Sequence, residues 1–412
     1  MKPKYGSVLG GILLIAGSCI GAGMLALPVI TGMGGFIPAV AMLLIAWLFM
    51  TSTSLLLLEA NLALGHNLSL ISIAEKTLGK TGKMLCWLLF IFLFYSLSIA
   101  YISASGSILQ AIVADLLGWN LPTVWGSILF TGVFAVVIYA GTQPVDYLNR
   151  ALMAGLIVAY CILVILGSQH IHLEYLEVQQ WRYAFAALPV LVISFGFHNM
   201  IPSLAMYLKG DLARLRITVL IGSLIPLLVY IVWEAVMLGI IPVQGREGLL
   251  KALDQGEVAT EALRSVVGKS WINTIAQAFA LFAIITSFLA QSLSLVDFLS
   301  DGLKVSKIGF GRLTLIFFTL VPPFAFAFMY PGVFITALNM AGGFAAVILF
   351  GVMPVLMVWQ LRYRRHVQTT PMFPWGRNSL VVVICVAVAI FSLELAQEMG
   401  FSLIPAQAEV AL

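Results

Sequence analysis

The sequence predicts an all-α membrane protein that crosses the bilayer eleven times. Of its 412 residues, 61% are apolar and only 9% are charged, whereas a soluble globular chain carries roughly 25% charged residues. So few charges cannot cover a water-exposed surface, and lipid must therefore solvate most of the outside. The small net charge of +4 gives no sign of a nucleic-acid partner, and no obligate protein partner is evident.

Apolar segments long enough to span a membrane give the count of eleven. A bilayer core of about 30 Å needs roughly 20 apolar residues per helix. Charged or turn-rich breaks delimit segments that we number spans 1 to 11, at approximately 7–30, 36–60, 84–113, 123–140, 147–167, 184–207, 217–242, 271–296, 311–330, 332–358 and 378–398. The apolar stretch after Lys2 and Lys4 is too long for the core of a signal peptide, so we interpret it as an uncleaved first span.

The distribution of positive residues predicts the orientation. If the N-terminus lies inside, alternation of the spans places 16 of the 21 Lys and Arg residues on the inside. The remaining five lie outside: Arg182, Arg246, Lys251, Arg264 and Lys269. Positive residues concentrate on the cytoplasmic side of membrane proteins, so we expect a cytoplasmic N-terminus and a C-terminus on the opposite side.

Two loops have patterns of their own. The outside loop 243–270 alternates charged and apolar positions and predicts one or two short surface helices, either a connector or a lid over an outward vestibule. The inside loop 61–83 predicts an amphipathic helix along the membrane surface. The four cysteines lie in or beside apolar runs without metal-ligand spacing, so we expect packing residues and neither a metal nor a cofactor.

Span 1 carries residues that interrupt a helix at mid-depth. Gly17, Gly21 and Gly23 lie in its centre, and Pro28 follows Gly23 by five residues. Unwound backbone is costly in lipid and is tolerated only where it lines a protein-walled cavity. We therefore predict a break near Gly23.

Span 6 repeats this pattern. Gly196, His198 and Asn199 lie at mid-depth, and Pro202 follows Phe197 by five residues. Span 6 comes five spans after span 1, an odd number, so the two run in opposite directions. Paired interrupted helices of opposite orientation are typical of an inverted repeat with a binding site at the membrane midplane. The alternative is that the small residues only allow close helix packing.

The predicted architecture is a single transporter domain over 1–412. Spans 1–5 (about 7–167) form one repeat, spans 6–10 (about 184–358) form the other, and span 11 (about 378–398) is peripheral. A half-helix that begins near Gly23 presents N–H groups that suit a carboxylate. Carbonyl groups around Phe195 to Phe197 suit an ammonium group. A site with both features selects an α-amino acid.

Several motifs resemble those of the bacterial hydroxy/aromatic amino acid permeases. The similarity lies in residues 20–28 (Ile-Gly-Ala-Gly-Met-Leu-Ala-Leu-Pro), in 194–198 (Ser-Phe-Gly-Phe-His) with 201–203 (Ile-Pro-Ser), and in 286–289 (Thr-Ser-Phe-Leu) leading to 297–299 (Asp-Phe-Leu). The resemblance implies the LeuT-type fold of the amino acid–polyamine–organocation superfamily. It also implies proton-coupled uptake of an aromatic amino acid, tyrosine first and tryptophan next, across a bacterial inner membrane. Asn199 stands where tyrosine-specific members are expected to carry a small residue.

The two predicted helix breaks and the family resemblance together predict which residues form the site. Candidates for substrate binding are Gly21, Ala22, Gly23, Met24, Tyr101, Ser105, Phe195, Gly196, Phe197, His198 and Asn199. Candidates for proton coupling, as ionisable groups inside spans, are His198, Glu59 and Glu234. A possible remnant of an ion site comprises Ser18, Thr286 and Ser287.

The alternatives differ in what they require. His198 could instead be a neutral side chain bonded to a neighbouring helix, and Glu59 could extend to the membrane interface. Sodium coupling, or a substrate with a small hydroxyl or branched side chain, stays open within the transporter class. A channel or sensor would need a continuous polar lining, but the polar positions cluster at two breaks. An intramembrane enzyme would need a paired nucleophile and base or a metal cluster, and no such motif occurs.

Overall fold

The computed structural model describes residues 6–65, 68–119, 122–245, 248–267, 271–367, 369–372 and 376–401. Lys2, Lys4, Arg246 and Lys269, which enter the charge distribution above, lie outside these ranges. Within them all regular structure is helical. Ten helices are long and apolar enough to cross a membrane, and one bent pair brings the number to eleven if it is a single span. The prediction of an all-α membrane protein is therefore confirmed.

The α-helices are numbered in chain order. They are α1 (Val8–Cys19), α2 (Gly23–Thr31), α3 (Phe36–Ala63), α4 (Leu70–Leu117), α5 (Thr123–Ala140), α6 (Thr142–Gly167), α7 (Leu173–Leu176), α8 (Trp181–Ala184), α9 (Leu188–Ser194), α10 (Ile201–Tyr207), α11 (Leu212–Ile240), α12 (Leu249–Gln255), α13 (Ala259–Val267), α14 (Trp271–Leu303), α15 (Gly309–Met329), α16 (Phe334–Met340), α17 (Met353–Trp359) and α18 (Arg377–Glu398). The segments Ala341–Val352 and Gln360–Arg364 are π-helical and extend α16 and α17.

These helices correspond to the numbered spans. Span 1 is α1 with α2, and span 6 is α9 with α10. Spans 2, 3, 4 and 5 are α3, α4, α5 and α6, and spans 7, 8, 9 and 11 are α11, α14, α15 and α18. Span 10 runs from α16 through α17.

Both loop predictions agree with the helices found there. The loop between spans 7 and 8 contains α12 and α13, whose apolar side chains Leu249, Leu250 and Leu263 are buried. The first two turns of α4 correspond to the helix predicted in the inside loop. Gly79 separates these turns from the long part of α4, because its φ of 78° interrupts the helical path.

Contacts between spans relate the two halves of the chain. Span 7 packs along span 1, and span 2 packs against both helices of span 6. In the same way span 5 packs on span 8, and span 10 packs on span 3. The short helices α12 and α13 lie against α2, and span 11 lies against the π-helical segment of span 10. The central parts of spans 1 and 6 are therefore enclosed by other helices, whereas Leu9, Leu13 and Leu14 of α1 are exposed.

Candidate substrate site

The first candidate site element is the junction between α1 and α2. Helix α1 ends at Cys19, α2 begins at Gly23, and their axes differ by 55°. The hydroxyl group of Ser287 in span 8 accepts a hydrogen bond of 3.0 Å from the N–H of Ala22. A Cβ atom on Gly21 would clash with this hydroxyl oxygen, so alanine there would force the Ser287 hydroxyl group to turn away from Ala22.

The second element is the junction between α9 and α10. Helix α9 ends at Ser194, and a 3₁₀ turn from His198 to Met200 leads into α10. The three residues between them, 195–197, are not helical. The two junctions lie against each other, because a Cβ atom on Gly23 would lie 3.0 Å from the Ser194 Oγ atom.

Two side chains of span 7 hold these junctions. The hydroxyl group of Tyr230 lies 2.6 Å from the carbonyl oxygen of Cys19 and 2.9 Å from that of Ser194. The Nε1–H group of Trp233 donates a hydrogen bond of 3.0 Å to the carbonyl oxygen of Met24. Carbonyl groups that helix ends leave unpaired are costly when buried. Tyr230 therefore stabilises the ends of both α1 and α9.

A cavity of about 180 Å³, measured as the space open to the centre of a water molecule, lies at the two junctions. Spans 1, 3, 5, 6, 8 and 10 line it, and none of its lining residues in the described chain is charged. Its wall includes the aromatic side chains Phe90, Phe94, Tyr101 and Phe350. The space far exceeds the ~10–15 Å³ that one water needs by this measure, and it can hold an organic molecule.

The residues near the cavity differ between the two sides of the membrane. Asn149 and Met153, near the start of α6, line it, so it extends toward the membrane side on which α6 begins. On the opposite side Asp115, near the end of span 3, accepts hydrogen bonds from Arg264 of α13 at 2.9 Å and from Asn273 and Gln277 of α14 at 3.1 and 3.0 Å. This cluster ties α13 to spans 3 and 8 on that side.

Part of the predicted site lines this cavity. The substrate-binding candidates that do so are Gly21, Ala22, Gly23, Tyr101, Gly196 and Asn199, and the ion-site candidates that do so are Ser18, Thr286 and Ser287. Tyr101 also forms a side-chain hydrogen bond with Ser287. Span 3, span 8 and the junction of span 1 are thus joined through these polar groups.

Other substrate-binding candidates lie outside the lining, namely Met24, Ser105, Phe195, Phe197 and His198. Met24 and Phe195 are fully buried, and the Phe195 ring packs edge-on against Tyr230 with centroids 5.2 Å apart. The Ser105 hydroxyl group donates to the carbonyl of Ile102 in its own helix at 2.8 Å. The structure therefore assigns these residues to packing around the cavity rather than to its surface.

His198 stands one layer behind the cavity. Its ring stacks on the ring of Phe350, with centroids 4.8 Å apart and planes 11° apart, and Phe350 lines the cavity. The His198 Nε2 atom lies 2.9 Å from the hydroxyl oxygen of Thr53 in span 2, while Nδ1 is buried without a hydrogen-bond partner. Spans 2 and 10 therefore hold the ring in place, and its Nδ1 atom has no hydrogen-bond partner.

Glu59 forms a buried ion pair away from the cavity. The Arg362 guanidinium donates to its two carboxylate oxygens at 2.7 and 2.6 Å, and the N–H of Met372 donates at 3.1 Å. The side chains of Glu59 and Arg362 are only 1% and 11% exposed. This geometry joins span 2 to the end of span 10 and leaves Glu59 fully engaged.

Glu234 has a different environment. Its Oε2 atom accepts a hydrogen bond of 2.8 Å from the Thr31 hydroxyl group, and its Oε1 atom is buried without a partner. Thr31 is the last residue of α2. Glu234 is thus hydrogen-bonded to α2, the half of span 1 that follows the junction, and one of its carboxyl oxygens has no hydrogen-bond partner.

The hydroxyl groups of the possible ion site differ in their partners. Ser18 donates to the carbonyl of Ile15, and Thr286 donates to the carbonyls of Phe282 and Ala283, all within their own helices. Ser287 alone of the three accepts from another span. Over the described residues there is no group of three His, Cys, Asp or Glu side chains that could hold a metal ion.

Three residues stand out that the sequence analysis passed over. Tyr230 bridges both helix junctions. Gln291 lines the cavity from span 8, and Glu394 of span 11 is a third buried acid, 1% exposed, with Oε2 unpartnered. For Gln291 and Glu394 a signal was present in the sequence, because an amide or carboxyl group inside a span is costly to bury and marks a candidate functional residue.

A multi-pass helical protein with an uncharged, aromatic-lined cavity at two facing helix junctions belongs to the class of membrane permeases. The family model of the tryptophan/tyrosine permease family matches residues 4–394, and the chain belongs to that family. The resemblance drawn from the sequence motifs is confirmed. Members of the family are transport proteins and not enzymes.

This chain is similar to transporters named for tyrosine and to transporters named for tryptophan. The tyrosine-specific transport system 1 of Haemophilus influenzae is 34% identical over 95% of this chain and 98% of its own length. The tryptophan-specific transport protein of Pseudomonas aeruginosa is 31% identical over 92% of this chain and 91% of its own length. The low affinity tryptophan permease of Escherichia coli is 29% identical over 92% of this chain and 93% of its own length.

Proposed function

We propose that this permease is a secondary active transporter that imports an aromatic amino acid, tyrosine first and tryptophan next, by proton symport with alternating access. The observation that carries the proposal is the cavity at the two helix junctions, which combines exposed backbone, aromatic walls and an uncharged lining. Relatives named for tyrosine and for tryptophan transport support the aromatic substrate.

In this proposal the backbone binds the charged groups of the amino acid. The N-terminal end of α2 at Gly21 to Gly23 receives the carboxylate, because N–H groups and the positive end of the helix dipole suit an anion. The carbonyl groups between Ser194 and Phe197 receive the ammonium group. A zwitterion needs no charged side chain in such a site, which agrees with the uncharged lining.

The proposed architecture is the LeuT-type inverted repeat, with interrupted helices in spans 1 and 6. A pair of hydrogen bonds supports it. Tyr230 of span 7 bonds to Cys19 at the end of α1, and Thr53 of span 2 bonds to His198 at the junction of span 6. An inverted repeat pairs span 2 with span 7 and span 1 with span 6, so a hydroxyl group from each member of one pair contacts the interrupted helix of the other pair.

The conformation described here is the inward-facing one in this proposal. The cavity extends toward the side on which α6 begins. The distribution of Lys and Arg supports a cytoplasmic location for that side, and the membrane in this proposal is a bacterial inner membrane. The cluster around Asp115 closes the periplasmic side. Alternating access would break this cluster and close the cytoplasmic opening.

Glu234 is the coupling residue that we favour over Glu59 and His198. Its unpartnered Oε1 atom offers a place for a proton, and its bond to Thr31 connects that proton to α2. Glu59 already has a guanidinium partner, and His198 is separated from the cavity by Phe350.

Competition measurements test the proposed substrate. Purified protein in liposomes takes up labelled tyrosine, and each of the twenty unlabelled amino acids is added in turn. We expect tyrosine and tryptophan to compete. Competition by serine, threonine or the branched-chain amino acids in their place would overturn the aromatic assignment, and unitary currents in a bilayer recording would indicate a channel instead.

A further inference from the structure

We propose that Gln291 is the residue by which this permease separates aromatic amino acids whose ring donates a hydrogen bond from those whose ring does not. The inference rests on the proposed function, because it concerns the ring of an amino acid bound in the same cavity. The phenol group of tyrosine and the indole group of tryptophan both donate a hydrogen bond, whereas the phenyl group of phenylalanine does not.

The orientation of the Gln291 amide follows from its partners. Its Nε2 atom donates to the carbonyl oxygen of Phe94 at 2.6 Å and to the hydroxyl oxygen of Ser98 at 2.9 Å. A carbonyl oxygen can only accept, so the nitrogen of the amide must face Phe94. Both amide hydrogens are therefore used within the protein, and the amide cannot turn over without losing them.

What remains for a ligand is the Gln291 Oε1 atom. This oxygen is buried and has no hydrogen-bond partner, and the residue, 8% exposed, lines the cavity. A buried acceptor without a donor is unfavourable, so a ligand that supplies an O–H or N–H group there gains affinity. A plain phenyl ring fills the space but leaves the acceptor unpaired, which is the basis of strong discrimination.

The position of Gln291 matches the ring end of the substrate. Ser287, which accepts from Ala22 at the junction of span 1, precedes Gln291 by one turn of α14, about 6 Å along the helix axis. An aromatic amino acid held by its backbone at that junction spans this distance with its ring. Phe94 and Phe350 line the cavity and provide its apolar walls.

Two other amides in the cavity lack this directional property. Asn149 and Asn199 line it with buried, unpartnered Oδ1 atoms. Among the described residues, however, no hydrogen bond orients either side-chain amide, so each can present its nitrogen or its oxygen. Such a group binds donors and acceptors alike, whereas Gln291 accepts only.

The test compares three compounds that differ at one ring position. Tyrosine, phenylalanine and 4-fluorophenylalanine compete with labelled tyrosine for uptake into liposomes. Fluorine fills much of the volume of the hydroxyl group but cannot donate. In the unaltered protein we expect phenylalanine and 4-fluorophenylalanine to compete at least about 10-fold more weakly than tyrosine. In Gln291→Met this ratio should fall below about 3-fold, because the acceptor is gone.

The matched control is Gln397→Met, which changes the same residue type in the peripheral span 11, away from the cavity lining. It should keep the ratio of the unaltered protein. If 4-fluorophenylalanine competes as well as tyrosine in the unaltered protein, the role of Gln291 is overturned whether or not the variant folds. Equal competition by all three compounds refutes Gln291 alone, whereas no uptake of any aromatic amino acid refutes the proposed function and the Gln291 inference with it.

Discussion

The hydroxyl group of Tyr230 lies 2.6 Å from the carbonyl oxygen of Cys19, the last residue of α1. The same hydroxyl lies 2.9 Å from the carbonyl oxygen of Ser194, the last residue of α9. A hydroxyl group carries one hydrogen and can donate to only one of the two carbonyls at a time. Tyr230 therefore links the two helix ends that meet at the cavity, and its O–H group can donate to either carbonyl.

Tyr230→Phe removes this link while keeping the ring. We expect the transport rate to fall about tenfold and the free energy of unfolding to fall by about 1–2 kcal/mol, because one buried carbonyl loses its donor. Uptake into liposomes and thermal unfolding in detergent measure the two effects. Tyr95→Phe is the matched control, since Tyr95 donates to the Phe318 carbonyl at 2.7 Å, between spans 3 and 9 and outside the cavity lining. Equal transport by the two variants would contradict the role of Tyr230.

Gly21→Ala tests the contact between span 1 and span 8. The new Cβ atom would clash with the Ser287 hydroxyl oxygen, so we expect uptake to be lost. In the double variant Gly21→Ala with Ser287→Ala the nearest remaining side-chain atom is the Cβ of residue 287 at 3.6 Å, an ordinary contact, and uptake should partly return. Gly132→Ala, which meets nothing within 4 Å, is the control. A double variant as inactive as the single one would show that the clash is not the cause.

Glu234→Gln tests proton coupling. Glutamine keeps an acceptor for the Thr31 hydroxyl group but cannot release a proton. We expect exchange of internal and external tyrosine to persist, while accumulation driven by a proton gradient is lost. Both are measured with labelled tyrosine in liposomes. If Glu234→Gln accumulates tyrosine as the unaltered protein does, another residue carries the coupling proton.

Glu59→Gln should affect stability rather than coupling. It leaves the buried Arg362 guanidinium without a charged partner, and breaking a buried ion pair from one side costs about 3–5 kcal/mol. We expect a lower thermal midpoint and poor recovery of folded protein. The double variant Glu59→Met with Arg362→Met removes both charges and should recover much of the loss. A Glu59→Gln protein as stable as the original would contradict this assignment.

Glu261 in α13 gives a dependence on pH. Burial raises the pKa of Glu261 from its ordinary 4.5 to about 7, although nearby Arg264 opposes the shift, while Glu257 and Asp115 add to it. The folded state therefore holds a proton that the unfolded state has lost between about pH 4.5 and pH 7. Across this window each pH unit lowers the free energy of unfolding by up to about 1.4 kcal/mol, and the decrease ends above pH 7.

Thermal midpoints in detergent between pH 5 and pH 8 test this dependence. The unaltered protein should lose stability as the pH rises toward 7. Glu261→Gln, which resembles the protonated side chain, should have a flatter profile. Identical slopes for the two proteins would show that Glu261 is not the titrating group.

Hydropathy and turn residues predicted most of the fold. The apolar segments, the short helices α12 and α13, and the ends of α1 and α9 all follow from local patterns in the chain. Gly21 and Gly23 could be identified because an interruption in lipid requires small residues and a protein-walled cavity. The spans, the helix ends and these glycines could be predicted because each depends on how deep a residue lies in the membrane. Position along a span gives that depth directly.

The side on which a residue faces within a span was harder to predict. His198 lies at the depth of the cavity, but its ring faces Thr53 and stands behind Phe350. Gln291 and Tyr230 are polar residues inside spans 8 and 7, but only the packing of span 7 along span 1 and the bond of Ser287 in span 8 to Ala22 show that they face the site. Such directions depend on tertiary contacts between distant segments, which hydropathy does not contain.

The most direct test of the account is the accumulation of labelled tyrosine in liposomes that contain the purified protein, with an inward proton gradient and without sodium. Proton symport of an aromatic amino acid predicts that tyrosine accumulates above its external concentration. A proton ionophore should abolish this accumulation, and tryptophan should compete with it. Uptake that requires sodium and survives the ionophore would contradict proton symport, and the absence of any uptake of tyrosine or tryptophan would contradict the proposed function itself.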